Sequence, residues 1–217
     1  MSRTFTRVRR LHGDDRGSAL VAVLLSSVLV SAVGAALTVT ANTETAIASS
    51  FRIERELTYA AEAGVERAMQ DVRLATQWND LLTGARTTTF LDRSMTPVLP
   101  TGGTLDLRAL SARLQAATDA RFGGPDSPQW RLVASGRLAD IAGNSSIESP
   151  AYLVVWVADD VSETDGNPAA DSNDVLIIRG EAVGSGGRTR ALDVTVTRAG
   201  APAGQPGLRV ISWREVR

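Results

Sequence analysis

The sequence predicts an α+β protein, with a long N-terminal helix packed on an antiparallel β-sheet. Three observations predict it. From Ser18 to Thr43 the chain carries no charged residue. From Glu44 to about Thr76 apolar residues return every three or four positions, the period of a helix with one buried face. From Trp130 onward the period changes to two, the mark of half-buried strands.

The uncharged stretch is about 26 residues, enough as a helix to cross a hydrocarbon core of roughly 30 Å at about 1.5 Å per residue. Ahead of it lie Arg3, Arg7, Arg9, Arg10 and Arg16 against Asp14 and Asp15. An Arg-rich flank of this kind stays cytoplasmic, so the rest of the chain is expected outside. Ile47, Phe51, Leu57, Ala60, Ala61, Gly64, Val65, Ala68, Met69 and Val72 then form one apolar stripe. Glu54, Arg55, Glu62, Glu66, Arg67, Asp71 and Arg73 fill the opposite face. No proline occurs between Ser18 and Thr96, so one helix is expected from about Ser18 to about Thr76, about 90 Å long.

Thr83 to Gly103 is rich in threonine, glycine and proline and reads as loop. Leu107, Leu110, Leu114 and Ala117, with Asp106, Arg108 and Arg113 among them, predict a short amphipathic helix ending before Gly123. Strands are expected over 130–138, 151–158, 175–183, 190–198 and 208–213, with a hairpin at Gly184-Ser185-Gly186-Gly187. The strand with Tyr152, Leu153, Val154, Val155 and Trp156 is the most apolar and is expected to be central. The organisation is therefore a leader at 1–17, an apolar half-helix at 18–43 and an amphipathic half-helix at 44–76. A loop and short-helix insert follows at 77–129, then a β-sheet domain at 130–217.

Composition excludes much. A net charge of −1 argues against general nucleic-acid binding. There is no cysteine and no lysine, and the one histidine, His12, lies in the leader. A chain cut after Gly17 lacks His, Cys and Lys altogether, which removes Ser-His-Asp and Cys-His nucleophiles, Schiff-base lysines and His- or Cys-bound zinc. No enzymatic role is expected. Glu62 and Glu66 lie four apart on one helix face but read as surface charge balanced by Arg67 and Arg73.

Asp159, Asp160, Asp165, Asn167, Asp171, Asn173 and Asp174 concentrate oxygen donors in one Gly-containing loop between two strands. Calcium takes six to eight such ligands, so this loop is the candidate calcium site, with no other cofactor expected. The spacing does not match the EF-hand pattern, and the same residues also make ordinary solvated turns. Asn144-Ser145-Ser146 fits a glycosylation acceptor and equally a turn, and Arg9-Arg10 is a weak twin-arginine signal.

Three readings fit the N-terminal stretch: a signal peptide cut near Ala35 or Ala36, a plain membrane anchor, or a prepilin leader cut ahead of the apolar run. Arg16-Gly17 followed directly by Ser18 resembles the prepilin site, with Gly17 as the last leader residue. Farther on, Ala60-Ala61-Glu62-Ala63-Gly64-Val65-Glu66-Arg67-Ala68 is similar to the "AEAG" helix of PilX-type pilus assembly proteins. The resemblance covers roughly the first third of the chain, and Gly207 to Glu215 looks like the final strand of such proteins.

The resemblance implies a minor pilin-like structural component, cut between Gly17 and Ser18 by a prepilin peptidase and N-methylated at Ser18. It implies an inner-membrane, single-pass precursor with its C-terminal domain outside the cytoplasm, passing later to a pilus at the cell surface. Its expected partners are other pilins through the N-terminal helix, the prepilin peptidase and the pilus assembly platform. One departure bears on its place in the filament. Major pilins carry a glutamate at the fifth position after the cut, and here that position is Ala22. A subunit with no neighbouring amino terminus to neutralise has no use for a buried carboxylate there. A type II secretion pseudopilin, or a membrane-anchored periplasmic binding module with no filament role, are the alternatives.

Overall fold

The computed structural model describes residues 15–88, 90–143, 146–200 and 207–216. The leader arginines at 3, 7, 9 and 10, His12 and most of the glycosylation triplet lie outside the described residues. The chain divides into two compact units, Met1–Phe51 and Arg52–Arg217.

Helix α1 spans Asp15–Leu74 without interruption. It begins three residues earlier than expected. In the first unit the helix is apolar all round and uncovered, with Leu20, Leu29 and Val39 each about two-thirds exposed. It is long and apolar enough to cross a membrane. Four of its hydroxyls are satisfied within the helix: Ser31, Thr38, Thr40 and Thr43 donate to the carbonyls of Ser27, Gly34, Ala36 and Val39 one turn back.

In the second unit α1 is the covering layer of a sheet. Leu57, Ala60, Ala61, Val65, Ala68, Val72 and Ala75 are buried, at the three- and four-residue spacing of one helix face. Ile47 and Phe51 prolong the stripe in sequence but stay exposed. Strands of eight to eleven residues run about 25–35 Å, and Leu57 to Ala75 is about that length of helix.

A one-turn helix follows, α2 at Asn79–Leu82, and, after a loop, the 15-residue α3 at Leu107–Arg121. The side chain of Asp106 caps α3 by accepting from the Arg108 and Ala109 amides, both at 2.9 Å. Five antiparallel strands then form one sheet in chain order: β1 Arg131–Arg137, β2 Tyr152–Asp159, β3 Val175–Val183, β4 Thr189–Ala199 and β5 Gly207–Val216. A one-turn helix, α4 at Leu138–Ile141, closes β1. The expected hairpin joins β3 to β4.

The two sheet faces are covered differently. Leu153, Val155 and Val157 of β2, Leu176 and Ile178 of β3, and Leu192, Val194 and Val196 of β4 share one core with α1. On the opposite face Tyr152, Val154 and Trp156 pack with Leu107 and Leu110 of α3. β2 is therefore buried at every residue, which explains its unbroken apolar run. It is flanked on both sides, yet the middle strand of the five is β3. Apolar residues on both faces report two covering layers, not a position in the strand order.

Small residues set the helix-to-sheet distance. A Cβ on Gly180 would stand 2.5 Å from Val65 Cγ2 and 3.0 Å from the Ala61 carbonyl oxygen, and one on Gly184 would stand 2.7 Å from Leu57 Cδ2. On the helix side Gly64 faces Val155 and Leu153. The Ala-Glu-Ala-Gly segment is thus the helix's point of close approach, with Ala60, Ala61 and Gly64 inward.

The end of α1 is held by β4. Arg198 stacks its guanidinium 4.4 Å over the Trp78 ring and donates to the Ala75 and Thr76 carbonyls, just past the last helical residue. Its Nε pairs with Asp174 at 2.8 Å. The two sheet edges also differ. The loop read from sequence at 83–103 does more than connect: the Thr88 and Asp92 amides donate to the Val133 and Ser135 carbonyls, and the Ser135 amide to Phe90, covering the β1 edge. Among the described residues nothing pairs with the outer edge of β5.

Candidate functional site

Two places carry the site residues expected from sequence. The first is the expected processing point. Gly17 and Ser18 lie in the first turn of α1, both exposed, and no heavy atom stands within 4 Å of where a Gly17 Cβ would be. Ala22 lies on the same exposed stretch.

The second is the acidic loop between β2 and β3. It folds by using its own carboxylates as acceptors for its own amides. The Glu163 carboxylate takes the Ser172 and Asn173 amides at 2.9 and 2.7 Å and the Ser172 hydroxyl at 3.0 Å. Asp160 takes the Ser162 amide and hydroxyl and, at 2.8 Å, the Asn173 side-chain amide. Asp171 takes the Val175 amide, while its own amide donates to Asn79 of α2. Asp159, at the end of β2 and 3 % exposed, takes the Asp160 amide.

Of the seven candidate calcium ligands, the structure brings Asp159 and Asp160 together, joined by Glu163. These three are buried, each with a carboxylate oxygen within 4.8 Å of the others', and they are the group that can hold a cation. Of the other five, Asn173 touches this group as a donor, to Asp160 and Glu163, and the rest are engaged in other contacts. Asp165 and Asn167 cap the loop tip by accepting from the Asn167 and Ala169 amides. Asp174, at a φ of 60°, is the partner of Arg198, and Asp171 and Asn173 are held in the contacts above. A six- to eight-oxygen shell is therefore not gathered. Sequence reasoning passed over Glu163 because it sought closely spaced Asp and Asn. A lone Glu inside a turn-rich acidic loop was the available signal.

Crowding of like charge shows in the titration of the loop. Burial, then the Glu163 carboxylate, push Asp159 up to about 7. Burial also raises Asp171, against the pull of the Val175 amide.

The remaining acidic candidates are structural. Arg67 reaches along the helix and across to the loop. It bonds Gln70 at 2.8 Å, approaches Asp71 at 3.7 Å and lies 4.1 Å over the Phe90 ring. Glu54 instead pairs with Arg190 of β4, and Glu56 accepts from Ser149. A cavity of about 380 Å³ near the β1 edge holds Tyr152, whose hydroxyl donates to Asp92 at 3.2 Å. Burial pushes that hydroxyl up to about 12, far from any nucleophilic role near neutral pH.

Compared with protein families, with curated proteins and with solved structures, the chain finds no match. What the fold defines is a class: an α+β protein whose single N-terminal helix is long and apolar enough to cross a membrane and continues into the cover of a five-stranded antiparallel sheet.

Proposed function

We propose that the chain is a minor, pilin-like structural component that takes part in the assembly, priming or tip decoration of a type IV pilus. One observation carries the reading. A single helix, unbroken from Asp15 to Leu74, is uncovered and apolar over its first half and lays small residues on an antiparallel sheet over its second. A helix apolar on every side needs apolar surroundings, either lipid or equivalent helices of neighbouring subunits. A break between Thr40 and Ser50 would have weakened the reading, and the helix runs through that stretch. The precursor sits in the inner membrane with its sheet domain outside, is cut after Gly17 and joins other pilins through α1. Ala22 in place of a fifth-position glutamate favours a minor rather than a repeating subunit.

The test is the intact mass and amino-terminal sequence of the protein from its native membrane, with and without the prepilin peptidase. A terminus at Ser18 that depends on the peptidase is expected. An intact Met1, or a terminus near Ala36, sinks the filament reading and leaves an anchored or secreted β-rich domain.

A further inference from the structure

A large groove of the sheet domain lies on the face away from α1. α3 covers β1 and β2 there and leaves the outer face of β3, β4 and β5 open, with a groove of about 1030 Å³ between helix and strands. Its helical wall carries Arg113, Ala117 and Arg121, four residues apart on one line along α3. Its floor carries Arg179 and Arg214, both bonded to Asp193, at 3.0 and 2.9 Å.

The charges in this groove are not balanced. Among the described lining residues four guanidiniums face two carboxylates, Asp193 and Glu181. Asp193 is shared between two arginines. Burial raises Glu181 above the ordinary carboxylate range, against the pull of Arg179 and Arg113. Among the described residues Arg113 and Arg121 make no ion pair, and Arg121 only approaches the Phe122 ring at 5.0 Å. This excess of positive charge stands on a chain whose net charge is −1.

Between the charges the lining mixes hydroxyls, from Thr118, Thr189, Thr195 and Ser212, with apolar side chains. Leu114 and Phe122 come from the helical side, Val161 from the start of the acidic loop and Ile177 from the floor. Phe122 and Val161 are each 45 % exposed. Apolar side chains left open beside unpaired guanidiniums mark a contact surface rather than a solvated face.

We propose that this groove docks an acidic peptide segment of a partner protein, one that alternates apolar side chains with Asp or Glu. The carboxylates pair with Arg113 and Arg121 on the lip, and the apolar side chains cover Leu114, Phe122 and Ile177. A nucleic acid fits less well. Its charge is uniform, so Asp193 and Glu181 on the floor oppose it, and phosphates leave the apolar lining uncovered. A peptide places its charge only where the guanidiniums stand. The inference concerns the sheet domain alone and is independent of how the N-terminus is processed.

The test uses the full chain in detergent micelles against a displayed library of random peptides. The selected sequences are expected to interleave acidic with apolar residues. Affinity for the best of them, remade as a free peptide, should fall about tenfold or more in the Arg113→Glu, Arg121→Glu double variant, about 1.4 kcal/mol or more. Both side chains are exposed, so unchanged thermal melting verifies the fold of that variant. Replacing the peptide's carboxylates by arginine should restore binding to the double variant. Selection of neutral or basic peptides, an affinity indifferent to the charge reversal, or no selection at all overturns the proposal. So does tighter, Arg113- and Arg121-dependent binding of a single-stranded DNA oligonucleotide.

Discussion

The two faces of the sheet are made on different terms. Under α1 the contact is apolar and close: Gly180 and Gly184 stand where any side chain would strike Val65 or Leu57, and the shared core is built of hydrophobic side chains. On the other face α3 covers only β1 and β2, and beyond it Arg179, Asp193 and Arg214 form a polar floor open on one side. The difference teaches where this chain tolerates change. The first face fixes a distance, so volume decides. The second holds charges near water, so pairing and screening decide.

Substitutions should separate the two in order of size. The largest effect is expected from Gly180→Val, which drives a side chain into Val65 and the Ala61 carbonyl. Overpacking of this kind costs roughly 3 kcal/mol or more, read as a large drop in the denaturation midpoint. An unchanged midpoint would mean that helix and sheet are not in close contact at that point.

Asp159→Asn should act in the opposite direction. A carboxyl raised to about 7 in the folded state and near 4 unfolded binds its proton more tightly when folded. Its contribution is complete at acid pH and is lost as pH rises from about 4 to about 7. Removing the charge should therefore stabilise the protein by ~1–2 kcal/mol at pH 7.5, do little at pH 4, and flatten the pH dependence of unfolding between them. Added calcium sharpens the same measurement. If Asp159, Asp160 and Glu163 hold the ion, wild-type stability at pH 7.5 rises with calcium and that of the Asp159→Asn variant rises less.

Next in size, Arg198→Ala removes the ring stack on Trp78, the donors to the end of α1 and the pair with Asp174. About 1–2 kcal/mol is expected, with faster amide exchange confined at first to the last turn of the helix. The smallest effect belongs to the open face. Arg113→Glu alone should leave stability within about 0.5 kcal/mol, because its side chain is exposed and makes no ion pair among the described residues. A larger loss would show that the groove is part of the packed core.

Much of this was legible from periodicity. The switch from a period near 3.6 to a period of two fell where the sheet begins, and the five strands lie within a few residues of where alternation placed them. Local patterns reached less far where an outcome depends on distant chain. β2 read as the centre because both its faces are apolar, but the second cover comes from α3, which leaves β3 in the middle. The acidic loop read as a ligand cluster because its oxygens are close in sequence. Folding spends most of them on the loop's own amides and on Arg198. The groove was not foreseen: Arg113, Ala117 and Arg121 are aligned by helical spacing, but Arg179 and Arg214 meet them only through the sheet register.

The covered edge of β1 has a geometric consequence for growth. Midway along one side of the sheet, backbone groups of Val133 and Ser135 are occupied by Thr88, Phe90 and Asp92, whereas among the described residues nothing pairs with the outer row of β5. A sheet finished on one side and open on the other can be lengthened in a single direction. Two copies joined through β5 would leave borders already met at Val133 and Ser135, so lateral addition beyond a pair would have to displace Thr88, Phe90 and Asp92.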